Sequence, residues 1–154
     1  MKNRALYMNG KLNLAFKELD IPKPQPGEVL LKVGYCGVCG SDVHFYESGC
    51  IGTTPIEGDL ILGHEAAGTV EAVGEGVTNV KVGDRVVLEP GIGCGHCEYC
   101  KSGRYNLCPD MQFISCPPYQ GAMRNYITHP AHLVYPLPEN VSTLEGALVE
   151  PLCV

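Results

Sequence analysis

Apolar residues along this chain fall into short runs cut by glycine and proline, the rhythm of strands joined by tight turns. Glu28-Val-Leu-Leu-Lys-Val-Gly-Tyr35 reads as a largely buried strand, while Leu12 to Leu19 alternates apolar and polar positions. Between them, Pro22-Lys-Pro-Gln-Pro-Gly27 is a turn, because its prolines have no N–H to give a ladder. Ala66 to Gly74 and Asp84 to Glu89 make two more strands, with Gly74, Gly76 and Gly83 punctuating the loop between them. Met123 to Thr128 and Leu133 to Tyr135 follow in the same style. Helical signals are confined to two places. One is Ser41 to Ser48, just after Cys39. The other opens at Ser142-Thr-Leu-Glu145, a capping box in which Ser142 accepts from the Glu145 N–H and Glu145 reaches back; its helix carries Ala147 and Leu148 and ends near Glu150. Many short strands and few helices predict a mainly β fold, a small barrel with short helices rather than a doubly wound sheet.

Composition narrows the class. With 154 residues, 45% apolar and 18% charged, residues 1–154 are expected to form one domain with its own core rather than a disordered chain. The formal net charge of −6 argues against a nucleic-acid partner, whose phosphates would repel it. No apolar stretch approaches the roughly 20 residues of a membrane helix. The opening Met1-Lys-Asn-Arg-Ala-Leu-Tyr-Met-Asn-Gly10 is too short and too polar for a signal peptide, so a cytoplasmic protein without a membrane partner is expected. No G-x-G-x-x-G follows a strand: Gly74-Glu-Gly76 and Gly91-Ile-Gly93 lack the third glycine and the following helix. A dinucleotide-binding Rossmann domain is therefore expected to be absent from these residues.

Nine cysteines in a chain of this kind point to metal or reactive thiols before disulfides. Cys94, Cys97, Cys100 and Cys108 fall within fifteen residues at spacings x2, x2 and x7. Four soft thiolates arranged tetrahedrally suit Zn²⁺ and close its shell, which predicts a structural site. An iron–sulfur cluster is a rival, since Pro109 follows Cys108, but the last gap is seven residues where the ferredoxin run has three. Buried free thiols are the other rival. His96, inside this run but outnumbered by thiolates, is expected to face solvent, and His129 and His132, flanking Pro130, to lie on the surface. Cys36, Cys50, Cys116 and Cys153 are expected to be small buried apolar residues.

A second donor set is more mixed. Gly63-His64-Glu65 is embedded in Leu60-Ile-Leu and Ala66-Ala-Gly, where a His-Glu pair is costly to bury unless metal or hydrogen bonds compensate. With Cys39 and Glu150 it offers S, N and O donors, and three protein ligands with an open fourth position are the pattern of a catalytic zinc.

Taken together, Cys39-Gly-Ser-Asp-Val-His44, Gly63-His-Glu-Ala-Ala-Gly68, Gly83-Asp-Arg-Val86, the four-cysteine run and Glu150-Pro-Leu resemble the zinc-dependent medium-chain alcohol dehydrogenases, most of all their sorbitol (polyol) dehydrogenase branch. The match runs in order along essentially the whole chain. It implies a GroES-like catalytic domain with a structural zinc lobe at about residues 90–110. In the family that domain is followed by a Rossmann domain that binds NAD(H). The implied reaction oxidises a secondary alcohol of a small polyol to a ketose with NAD(P).

The resemblance also implies roles. Cys39 and His64 match catalytic zinc ligands, and Glu65 matches a glutamate that ligates in the polyol branch. Glu150 stands where alcohol dehydrogenases place a cysteine; whether it binds zinc or holds the zinc-bound water stays open. Ser41 and His44 match a proton relay, Tyr46 and Phe113 substrate-pocket aromatics, and Cys94, Cys97, Cys100 and Cys108 the structural lobe. Two zinc ions are thus implied, one catalytic and one structural. Cys50 departs from the basic residue usual in polyol dehydrogenases. The resemblance makes the chain an N-terminal catalytic portion that binds zinc but not NAD(P) by itself, with a missing Rossmann half as its partner, exposed apolar surface, and a homo-oligomer at full length. A stand-alone zinc-binding or interaction module without activity is the alternative left open.

Overall fold

In the computed structural model, which describes residues 2–56 and 58–154, every strand pairing among the described residues is antiparallel. Met1, at the head of the polar opening stretch, lies outside them. The strands are β1 (Asn3–Met8), β2 (Leu14–Leu19), β3 (Glu28–Cys36), β4 (Cys50–Ile51), β5 (Thr54–Pro55), β6 (Leu60–Ile61), β7 (Ala66–Val73), β8 (Arg85–Leu88), β9 (Gly91–Ile92), β10 (Gln112–Phe113), β11 (Tyr126–Pro130) and β12 (Val134–Pro136). Helix α1 (Gly40–Ser48) follows β3, the single turn α2 (Glu98–Lys101) lies in the cysteine run, and α3 (Thr143–Gly146) and α4 (Val149–Leu152) follow β12. The mainly β architecture with short helices read from the sequence is what the chain adopts.

A five-stranded sheet in the order β11-β3-β7-β8-β12 carries the main core, with Val29, Leu31, Val70, Val86 and Ile127 packed together. A second sheet, β2-β1-β6, adjoins it through the 122–125 segment, where Leu6 N donates to Met123 O at 2.8 Å and Asn125 N to Arg4 O at 3.0 Å. The register of β3 against β7 shifts between Val33 and Tyr35. A bulge there re-aims the end of β3, immediately before the Cys36-to-Cys39 turn. Helix α1 plugs the smaller sheet, its buried Phe45 packing with Met8, Leu60 and Leu62. The turns α3 and α4 lie against β7 and β8, where Ala147 meets Ala67 and Val87.

The capping box at Ser142 forms as read: Glu145 N donates to Ser142 Oγ at 3.2 Å and Ser142 N to the Glu145 carboxylate at 2.7 Å. Other expectations are corrected. β1 escaped the sequence pattern because it begins with a polar Asn3, which is fully buried; its side-chain amide donates to Tyr126 O at 2.8 Å and accepts from Tyr126 N at 2.9 Å, as another backbone would. The alternating Leu12–Leu19 run does form β2, yet Leu14 and Phe16 are exposed on this edge strand, Phe16 lying under the Arg4 guanidinium 3.9 Å away. Cys153 is exposed and Cys50 and Cys116 are only half-buried, so these three are not interior packing groups, whereas half-buried Cys36 packs against the main core as read. Leu144, Leu148 and Leu152 leave an exposed apolar stripe, as expected. No helix among the described residues is long and apolar enough to cross a membrane.

His132 is exposed as read, but His129 is not a surface residue. It lies in β11 opposite Val29, is 1% exposed, and its Nε2–H donates to Glu89 O at 2.8 Å. Burial lowers its pKa from 6.5 to about 4, against the pull of the Glu89 bond. With the folded pKa below the unfolded one, the unfolded chain binds the extra proton. Stability is therefore full above about pH 6.5 and falls as pH drops toward about 4, by on the order of 3 kcal/mol. Urea midpoints measured across that window should fall with acid in the parent protein and fall less steeply in His129→Gln. Parallel slopes in the two proteins would remove His129 as the source.

Candidate metal centres

The cysteine lobe is built from the backbone outward. Cys97 is the residue that caps α2, and its sulfur accepts from Cys100 N at 3.4 Å; Cys108 Sγ accepts from Cys94 N at 3.4 Å. The four sulfurs all lie within 4.8 Å of one another, with Cys94 and Cys100 at 4.0 Å. A tetrahedral zinc with bonds of about 2.3 Å sets its sulfurs roughly 3.8 Å apart, so these donors fit the ion with small adjustment. Backbone N–H groups of His96 and Cys97 pull the Cys94 thiol down to about 6, while desolvation pushes Cys100 up to about 12. Gly93 lets the chain pass closely, since a Cβ there would come 3.0 Å from Cys100 Sγ and 3.3 Å from Tyr105 Cβ. The lobe is tied to the main sheet through Glu89, whose carboxylate accepts from Tyr135 Oη at 2.9 Å; the same carboxylate, by hydrogen bonding, pushes the Tyr105 hydroxyl up to about 12.

The second set comes from two distant pieces of chain. Cys39 caps α1, its sulfur accepting from Ser41 N at 3.5 Å. His64 and Glu65 follow β6, and both are buried. The sulfur, a ring nitrogen of His64 and a Glu65 oxygen lie within 4.8 Å of one another. Close packing enforces this. Gly63 has φ of 86°, and a Cβ there would lie 2.6 Å from both Cys36 Sγ and Met123 Cγ. At Gly37 a Cβ would overlap the Glu65 carboxylate, and Gly37 N donates to Glu65 O at 2.8 Å. The Phe113 ring meets His64 edge-on at 5.2 Å between centroids.

The residue the sequence reading passed over is Asp42. It is 2% exposed and accepts from Cys39 N at 3.0 Å, Gly63 N at 3.0 Å and Ser115 Oγ at 3.2 Å. Asp at the third position of a helix after a capping residue was a legible signal for the first of these bonds; the other two are tertiary. Arg85 was missed likewise. Its guanidinium donates to the Val141, Pro138 and Glu139 carbonyls at 2.5, 3.2 and 3.0 Å, which anchors the segment leading to α3 and α4.

An open cavity of about 520 Å³ is lined by Cys39, Ser41, His64, Glu65, Phe113 and Glu150, among others. Glu150 is on this wall but outside the close trio, and its pKa is raised by burial, with Glu65 adding to the rise and His64 opposing it. His44 is exposed and does not line the cavity. Tyr46 packs against the Met8–Phe45 cluster instead, so it is a core residue rather than a pocket aromatic. Cys36 is near but stays a neutral thiol: desolvation, with Asp42 and Glu65 adding to it, pushes it up to about 12. An adjoining cavity of about 470 Å³, lined by Glu89, Tyr105 and Tyr135, shares Phe113 and Glu150 with the first.

Removing the Asp42 carboxylate strands buried donors from separate pieces of chain. Asp42→Ala should cost about 2–4 kcal/mol in urea denaturation, and Asp42→Asn, which keeps one acceptor oxygen, distinctly less. Equal midpoints for the two variants would mean that charge rather than bonding matters at this position.

The alcohol dehydrogenase GroES-like domain family matches residues 25–139. An uncharacterized zinc-type alcohol dehydrogenase-like protein of Escherichia coli, YdjJ, is 49% identical over 100% of this chain and 45% of its own length. Sorbitol dehydrogenase of Bacillus subtilis is 47% identical over 98% of this chain and 43% of its own. Among solved structures, an Escherichia coli oxidoreductase/dehydrogenase of unknown specificity superposes with a TM-score of 0.92 at 48% identity, covering 98% of this chain and 44% of that one. The chain spans less than half the length of these relatives. Over the span they share, fold and sequence agree, and the chain belongs to the alcohol dehydrogenase GroES-like domain family.

Proposed function

We propose that this chain is the zinc-binding catalytic portion of an NAD(P)-dependent dehydrogenase that oxidises a secondary alcohol of a small polyol. The observation that carries the reading is the convergence of Cys39, His64 and Glu65 donors within 4.8 Å on the wall of an open cavity. The four-thiol lobe, closed and away from that cavity, is the structural zinc site in this reading. The polyol assignment is supported by the 47% identity to a sorbitol dehydrogenase and by a carboxylate, Glu150, on the cavity wall.

Zinc held by Cys39, His64 and Glu65 supplies Lewis acidity toward a substrate hydroxyl. The protein's own groups do the rest. Ser41 lines the cavity, where its hydroxyl is placed to accept the substrate's proton and donate its own. His44 lies three residues further along α1, on the same helix face and exposed, and delivers that proton to water. A nicotinamide cofactor would supply the acceptor for the hydride that the carbinol carbon loses as alcohol becomes ketone and one proton is released. Glu150 faces the open side, where it accepts from substrate hydroxyls. Phe113 excludes water beside His64. That cofactor would be held by a separate nucleotide-binding domain.

Metal analysis with native mass spectrometry should find two zinc ions per chain. Cys97→Ser should lose the ion of the lobe, and Cys39→Ser should retain one. A single ion insensitive to Cys39 and His64 changes would remove the mixed site. In a chimera completed with the downstream part of YdjJ, polyols should drive NAD(P)H formation, and His44→Ala should lower kcat about tenfold. Simple primary alcohols turning over while polyols do not would overturn the substrate class.

A further inference from the structure

The cysteine lobe carries a second donor set on its outer surface. Cys94 Sγ, a ring nitrogen of His96 and a carboxylate oxygen of Asp110 lie within 4.8 Å of one another. His96 and Asp110 are exposed, whereas Cys108 of the four-thiol set is buried. The His96 ring is not free to turn at random. Its Nδ1 sits 2.9 Å from the Cys94 carbonyl oxygen, and since a carbonyl only accepts, Nδ1 carries the proton and Nε2 keeps its lone pair. A histidine held by a backbone carbonyl through one nitrogen is the usual preparation for ligating a metal with the other.

Cys94 belongs to both sets. A hydrated cation arriving from solvent meets the exposed imidazole and carboxylate first, and it cannot meet half-buried and buried thiols all at once. We propose that Cys94, His96 and Asp110 form a capture site that takes a divalent zinc ion from solvent and hands it to the four-cysteine pocket. On capture the ion gives up water for one N, one O and one S donor, the last being the Cys94 sulfur. As Cys97, Cys100 and Cys108 join, each releases a proton to solvent, and His96 and Asp110 let go; no atom changes oxidation state. The softer four-thiolate shell drives the hand-over, because zinc held by four sulfurs is closed and tetrahedral.

The proposal rests on the lobe taking zinc, and the experiment separates the two claims. Cys39→Ser protein is stripped with a chelator and mixed with Co²⁺, whose absorption with thiolates reports how many sulfurs bind. In this background, His96→Ala with Asp110→Asn should slow the appearance of the four-thiolate signal about tenfold, the low end of what a local field adds to an on-rate. Final signal and stoichiometry of one ion should stay unchanged. Unchanged rates with the same final signal would overturn the capture site alone. Equal slowing by Glu98→Gln would assign the effect to general negative charge and overturn it too, as would a weakened final signal, which would make these residues part of the finished site. No thiolate signal in the background protein would overturn the zinc reading first and the capture site with it.

Discussion

The buried carboxylate of Asp42 is the constraint from which the mixed donor site takes its geometry. A carboxylate enclosed by apolar side chains is costly unless its lone pairs are filled. Here they are filled by the Cys39 N–H, the Gly63 N–H and the Ser115 hydroxyl, from parts of the chain separated by up to 73 residues. Cys39 is held at the head of α1, and Gly63 immediately precedes His64 and Glu65. One side chain therefore makes the positions of all three candidate ligands conditions of one another. The same bonds bring Ser115 and the neighbouring Phe113 over His64, which narrows the cavity on that side.

A looser set of polar ties governs the rim. Arg85 gathers three carbonyls of the 138–141 segment, and that segment leads into the turns carrying Glu150. Glu89, four residues on, binds Tyr135 and Tyr105 and receives His129 on its backbone. Because β8 carries Arg85 and ends just before Glu89, a single strand connects the Glu150 wall of the cavity to the cysteine lobe. Neither residue would draw attention as a donor for metal or substrate. Their effect is positional, and burial of the sheet beneath them, with Val86 fully enclosed, keeps the strand fixed.

Legibility in the sequence followed how local each interaction is. The lobe was readable because its ligands lie in one short run, and the Ser142 capping box because it closes within four residues. Strands β3, β7, β8 and β12 showed in apolar runs. β1 did not, since its leading Asn3 is satisfied by Tyr126, a partner that no local pattern discloses. The alternation of β2 was real but signalled no buried face, because the strand lies on an edge. His129 was misplaced for the opposite reason: a histidine beside a proline looks like loop, yet pairing with β3 carries it inside, where only a carbonyl partner makes burial tolerable. Cys39, His64 and Glu65 were legible as residues, through their motifs, but the bonds that converge them were not.

The two centres also differ in what holds them before any ion arrives. In the lobe, donors are positioned by backbone N–H groups and glycine turns within the run, and Cys108 is its one buried member. Its sulfurs already lie within 4.8 Å of one another, so the order there comes from the run itself. The trio is instead fixed by α1, the Gly63 turn and Asp42, so its donors are ordered by the fold. Preordering suits a centre that must keep an open side, because ligands that collapsed around the ion would close it. Glu150 fits this division: it lies on the cavity wall, outside the trio, on a helical turn anchored by different bonds. Burial raises its carboxyl, with His64 opposing the rise and Glu65 adding to it, so its state is set by the same buried pair that forms two corners of the trio.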